Sequence, residues 1–502
     1  MKKILIVSYY GFKDSLDCAR KSLEKLGYVV DTYPLFRYAY DTHDRKENYK
    51  EHFNAYVQES SPDIILWWFF YVPPEVIRFI TVNNPKCFSI LFCWDDPFVW
   101  TERNSKLPEK CPYFDLVVAT CEETLIEYKK HGSKDVMFCP PGYDPSIHFP
   151  IEEEAPVSQL EWVEVKLDTS STTNFLEKYD CDISICCTNL YEDTSVYSDQ
   201  YINRRELIDT LVQIPDIKFH IYGPDFLKYK YPDNYKGFVQ YADLNSIYNK
   251  SRINISTHVC CSKSKYVNER TILILGSGGL LLVDPVKDID TLFNDEECVF
   301  IQKDKIVDQV KEILANYNSY KEVKRKGKEK SYIYTWDKWA EKIHNKVCEK
   351  FFDDDFYRKL YNVPENIVNL RDYWSKEGVT YNQVPFKFEV PKNFDYPQYT
   401  IDSKLVDKKL SKEYIYWHYR LNSRVSRYIL QFDSKKNFDL KKILDECKID
   451  PGCWFDVNSC FRHISKGKDV DSNLQRIELI GRQYPYTDIN RLLSLYFDIV
   501  EK

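Results

Sequence analysis

The chain has 502 residues, 43% of them hydrophobic and 29% charged, a globular composition whose length calls for two or three domains and not one core. Its formal charge of −7, with acidic and basic residues interspersed, offers no broad basic face and so argues against a nucleic-acid partner. Sixteen cysteines with no Cys-x-x-Cys pair, an apolar N-terminal run confined to 4–7, and no apolar stretch longer than 64–72 together predict reduced buried thiols, no structural metal, no membrane span and a cytoplasmic location.

From the N-terminus, short apolar runs alternate with amphipathic stretches, the rhythm of βαβ units around a parallel sheet buried on both faces. Strands are predicted at 4–7, 28–33, 63–69, 88–94, 116–119 and 136–139, with helices at 15–26, 49–59 and 124–131. These compose a first Rossmann-like domain over 1–150. Segment 151–180, acidic and then rich in Ser and Thr, breaks the rhythm and reads as a connection. Strands at 183–187, 219–222, 253–256, 279–283 and 299–301, with helices at 205–212, 244–249, 269–275 and 305–316, predict a second Rossmann-like domain over 181–350. Beyond 351 the chain becomes Tyr- and Trp-rich and interrupted by prolines, and a helical pattern at 472–500 marks 351–502 as a mainly helical accessory module. The predicted fold class is α/β, with two Rossmann-like domains facing across a cleft.

Nucleotides bind such folds at the C-terminal ends of the strands. The segment most suited to one starts with Asn268-Glu269-Arg270-Thr271, continues as an apolar helix, and turns through Gly276-Ser277-Gly278-Gly279 into a strand. Backbone N–H groups at that helix start can hold a diphosphate with Arg270 neutralising it; otherwise this is a helix ended by glycine, with Arg270 solvated.

With Arg270-Thr271 and the glycine turn 276–279, the chain resembles the glycosyltransferases similar to the spore maturation protein CgeB, relatives of the group 1 GT-B transferases. In that family Arg-Thr is followed by Phe-Glu, and the glutamate contacts the donor ribose; here Leu273 takes its place, with Glu269 as the substitute nearby. The turn Pro140-Pro141-Gly142-Tyr143-Asp144 resembles the one that closes the family's N-terminal domain. Arg204 and Arg205 resemble the arginine facing the leaving phosphate, and are otherwise solvated helix residues. Tyr222 and Gly223 end a strand where backbone can approach a ligand. Segment 237–248, with Tyr241 and Leu244, resembles the border of the nucleobase site, where Tyr241 either stacks on the base or packs in the core. Asp95 and Asp96 follow a buried strand, and either one acts as base or partner of the acceptor hydroxyl or both simply turn the chain before Pro97.

The resemblance implies a nucleoside-diphosphate sugar as donor, a glycan or glycosylated protein as acceptor, and neither cofactor nor metal, with arginines and a helix N-terminus stabilising the leaving group. Asp353-Asp354-Asp355 looks like a metal-binding acidic cluster but stands at a helix start, where capping is favoured. Two other readings stay open: a nucleotide-sugar epimerase, and a non-catalytic glycan-binding or surface-assembly protein with a degenerate site, which Leu273 favours. The abundance of Lys, Asn, Ile and Tyr with little Ala is the bias of an AT-rich genome, such as that of a large DNA virus, in which case the host cytoplasm is the compartment.

Overall fold

The computed structural model describes residues 2–11, 14–41, 45–94, 106–151, 179–188, 190, 204–379, 383–387 and 410–416. Asp95, Asp96, most of the predicted connection and the predicted helix at 472–500 lie outside the described residues. The chain divides into two compact units, Lys2–His344 and Asn345–Lys502.

The first unit contains two sheets. Strands β1 (Lys3–Ser8), β2 (Val29–Pro34), β3 (Ile64–Trp67), β4 (Phe88–Cys93), β5 (Leu116–Ala119) and β6 (Asp135–Phe138) form a parallel sheet in the order β2-β1-β3-β4-β5-β6. The central β3, β4 and β5 are buried at every residue, because helices cover both faces, and this is why they are apolar without alternation. Helix Asp14–Lys25 buries Leu16, Ala19 and Leu23, a spacing of three and four that puts them on one stripe. Helix Pro74–Asn83, absent from the prediction, begins on a proline whose missing N–H costs nothing in the first turn.

The second sheet comprises β7 (Cys181–Cys186), β8 (Phe219–Tyr222), β9 (Tyr235–Gly237), β10 (Ser251–Ser256), β11 (Leu281–Val283) and β12 (Val299–Phe300), again parallel, in the order β12-β11-β10-β7-β8-β9. Each sheet therefore reverses its strand order once, between β1 and β3 in the first and between β7 and β10 in the second. Connections leave such a point in opposite directions and open a crevice beyond the strand ends.

The chain passes from one sheet to the other beyond Tyr143 and returns at 334–336, and the two crossings are hydrogen-bonded to each other. The Tyr143 N–H donates to the Tyr334 carbonyl and the Trp336 N–H to the Tyr143 carbonyl, each at 3.0 Å. The Tyr143 ring lies on the α-carbon of Gly276, and its hydroxyl accepts from Lys328 Nζ and meets Ser331 Oγ, both at 3.1 Å. Lys328 also donates to the Gly276 carbonyl at 2.7 Å, and burial pushes its ammonium down to about 8. Past the return crossing, Trp336 and Trp339 pack on Trp68, with ring centroids 5.7 and 5.9 Å away, and Trp339 on Phe92 at 5.2 Å. Ser22 donates to Asp337 at 2.6 Å, and the Tyr28 hydroxyl meets His344 Nδ1 at 2.7 Å.

In the second unit the described residues form helices Asp354–Tyr361 and Leu370–Tyr373 and a π-helical turn Trp374–Gly378. Asp353 caps the first of these, its Oδ1 accepting the Phe356 N–H at 2.9 Å. Among the described residues no group of three or more His, Cys, Asp or Glu side chains is placed to hold a metal ion.

Gly276 admits no side chain, since a Cβ there would stand 2.6 Å from the Tyr143 ring. Gly276→Ala is expected to destabilise the first unit by about 1–3 kcal/mol, and Tyr143→Phe, which strips Lys328 and Ser331 of a partner, by about 1–3 kcal/mol. Denaturant unfolding checks both, and unchanged midpoints would remove this contact from any role in joining the sheets.

Candidate functional site

The crevice at the β7–β10 reversal is a cavity of about 330 Å³. Its floor is the meeting of two strand ends: a Cβ on Gly223, just past β8, would stand 2.0 Å from the Cys187 carbonyl just past β7, so only glycine fits. One wall is apolar and aromatic, with Leu244, Tyr248, Val259, Tyr266 and Leu273, and Phe238, 62% exposed, stands at the mouth.

The rest of the lining includes cationic groups, and a single backbone carbonyl organises them. The Thr257 oxygen, one residue past β10, accepts from Asn268 Nδ2 at 2.9 Å, Arg270 Nη1 at 3.2 Å and Arg204 Nη2 at 3.3 Å, while Arg204 Nε donates to Thr257 Oγ1 at 2.6 Å. Asn268 is also the N-cap of helix Glu269–Gly276, its Oδ1 accepting the Thr271 N–H at 3.0 Å. Arg204 lies on the helix that covers the described residues 204–211 and is 6% exposed. Two guanidinium groups from two helices thus meet at one peptide, beside the N-terminus of helix Glu269–Gly276, whose first N–H groups have no intrahelical acceptor.

Of the residues singled out in the sequence, Arg204, Tyr222, Gly223, Leu244, Asn268, Glu269 and Arg270 come together around this cavity. Glu269 and Leu273 are one turn apart on the same helix face, and both line the cavity. The others stand elsewhere. Arg205 is half-exposed and pairs with Asp209 at 3.4 Å. Tyr241 packs against His148, ring centroids 4.9 Å apart, leaving Phe238 as the aromatic at the cavity mouth. Thr271 is buried behind the wall, its hydroxyl 3.0 Å from Ser256 Oγ. Gly276, Gly278 and Gly279 stand against Tyr143, Pro150 and Asn254 at the other end of the helix. Eight residues make a helix about 12 Å long, too long for its two ends to hold one phosphate. Phe238 and Tyr248, from the predicted segment 237–248, line the cavity, as does Thr257, which the sequence reading did not single out. Thr257 was legible as the polar residue just past a predicted strand, the usual place for a ligand contact in an open parallel sheet.

Behind the wall sits His258, 3% exposed, with neither ring nitrogen hydrogen-bonded and its ring 5.5 Å from that of Tyr266. Burial, then the charges of Arg270 and Arg204, hold its imidazole down to about 3. Its backbone N–H donates to Asp284 Oδ2 at 2.7 Å.

Two parallel six-stranded sheets with helices are the arrangement of the GT-B glycosyltransferases. Residues 204–345, which contain the whole crevice apart from the β7 end, match the family described as glycosyl transferase-like. Sucrose-phosphate synthase from Thermosynechococcus elongatus shares the fold, with a TM-score of 0.51 at 13% identity over 70% of this chain and 99% of that one. HepE of Anabaena, solved with UDP and glucose, superposes with a TM-score of 0.47 at 11% identity over 70% of this chain and 100% of that one. No curated protein matches the chain. The family match over 204–345 supports an enzyme of the glycosyltransferase type, and the likeness to solved structures shows the fold.

A pH dependence follows from the buried imidazoles. His258 is held to about 3 and His148, by burial, to about 4, against 6.5 when exposed, so the unfolded chain binds these protons first. Stability is therefore expected to fall as pH drops from 6.5 towards 4. His258→Gln should flatten that slope, as read by denaturant midpoints across the window; an identical slope in the variant would show that His258 does not titrate this way.

Proposed function

We propose that the chain transfers a glycosyl group from a nucleoside-diphosphate sugar to a hydroxyl of a glycan or glycosylated protein, as a cytoplasmic relative of the CgeB-like transferases. The observation that carries this is the convergence of Arg204 and Arg270 on the Thr257 carbonyl at the mouth of the second sheet. Sugar transfer breaks the bond between the anomeric carbon and a phosphate oxygen, leaving new charge on the diphosphate. Guanidinium groups already held in place meet that charge without reorganising, the work a divalent cation does in other transferases. The apolar lining with Phe238 suits the flat nucleobase, and Glu269, which lines the same cavity, is the residue proposed to take sugar or ribose hydroxyls.

A second crevice, of about 460 Å³, lies at the β1–β3 reversal of the first sheet, lined by Tyr9, Phe36, Tyr40 and Phe69 with Glu75 and Lys106. Aromatic faces beside a few polar groups suit the acceptor's sugar ring. Asp95 and Asp96 follow the end of β4 in the same half of the chain, and one of them takes the acceptor proton. No helix among the described residues is long and apolar enough to cross a membrane.

Calorimetric titration with a panel of nucleotide sugars and their diphosphates identifies the donor. Arg270→Ala should weaken that donor about 10- to 100-fold, the worth of one charged hydrogen-bonding group, while leaving thermal unfolding near wild type; unchanged affinity would refute the phosphate assignment. Tyr40, 47% exposed, can be removed at little structural cost, and Tyr40→Ala should raise KM for the acceptor while donor affinity stays put. Transfer is expected to survive EDTA, and loss of activity restored by Mn²⁺ would mean that arginines alone do not carry the leaving group.

A further inference from the structure

The Thr257–His258 peptide is held from both sides. Its carbonyl receives Asn268, Arg270 and Arg204, and its N–H donates at 2.7 Å to Asp284 Oδ2. Asp284 is 3% exposed, follows the end of β11, does not line the cavity, and has no part in the mechanism above. Its own N–H donates to the Ser256 carbonyl at 3.2 Å, so the carboxylate is anchored to the strand end that it supports.

We propose that Asp284 is a positioning residue for sugar transfer, acting through the Thr257–His258 peptide to aim Arg204 and Arg270 at the diphosphate. This rests on the donor-site reading above. Two physical effects combine. A buried N–H must be satisfied, and with Asp284 as its acceptor the peptide plane cannot rotate its carbonyl away from the arginines. A carboxylate on the N–H side also polarises the amide, leaving more negative charge on the oxygen that the two guanidinium groups share.

Set behind the peptide, Asp284 adds negative charge near Arg204. Burial raises the Asp284 carboxyl, while the His258 N–H, Lys303, Arg204 and the Cys261 thiol draw it down.

UDP and inorganic pyrophosphate serve as probes, titrated against the full chain carrying Asp284→Asn, which keeps the shape and an acceptor for the His258 N–H, and Asp284→Ala, which keeps neither. Binding is expected to fall about tenfold in Asp284→Ala and less in Asp284→Asn, for a lost hydrogen bond to a charged group. The tenfold effect of Asp284→Ala should shrink when it is combined with Arg270→Ala, because residues that act through one another are not additive. A merely structural role would lower thermal stability and add independently to Arg270→Ala. Full affinity in both Asp284 variants, or additivity in the double variant, overturns the proposal and leaves the donor-site reading standing. Failure of the wild-type chain to bind any nucleoside diphosphate or pyrophosphate overturns both.

Discussion

Two unit charges about 4 Å apart repel by about 4 kcal/mol at the effective dielectric of a protein surface, and the cationic wall of the second sheet has to hold its two guanidinium groups together against that kind of opposition. The shared acceptor at Thr257 does so only because three chain segments are brought to one spot. The β10 end supplies the carbonyl, the helix over 204–211 supplies Arg204, and the Asn268 cap turns helix Glu269–Gly276 so that Arg270 reaches the same oxygen. The strand order underlies all of this. Because β10 returns beside β7, the connections on either side diverge and leave a crevice beyond the strand ends.

The same rule explains why much of the fold was readable from the chain alone. Strands buried on both faces have to be apolar throughout, so β3, β4 and β5 announced themselves, and their ends were placed to within one or two residues. Strand β9, Tyr235–Gly237, was not legible, because an edge strand of three partly exposed residues carries no apolar run. Helix Lys321–Ser331 was missed for a related reason: it is rich in charge and buries only Gly327 and Ser331.

At the cavity, the residues that sequence brought together were those tied to backbone geometry. Arg270 follows a cap and Gly223 ends a strand, and both positions are local signals. Tyr241 and Phe238 could not be separated that way, since they lie three residues apart in a stretch where both types suit core and mouth alike; only the tertiary contact with His148 decides which ring faces inward. The glycines after Arg270 lie away from this cavity. Gly276 and Gly278 meet Tyr143 and Pro150, residues more than a hundred positions earlier that no local pattern records, and Gly279 meets Asn254.

The tryptophans at 336 and 339 have a further consequence for the newborn chain. They cover Trp68 and Phe92, which belong to a sheet whose last strand ends at Phe138. At synthesis rates of about 5–20 residues per second, roughly 10 to 40 s pass between completion of that sheet and arrival of its cover. Throughout that interval the nascent first half presents an aromatic face to the surrounding solution, a surface of the kind that molecular chaperones recognise. The topology thus sets an order of assembly: the sheet that is made first waits for residues 336–339, from beyond the second sheet, before it is covered.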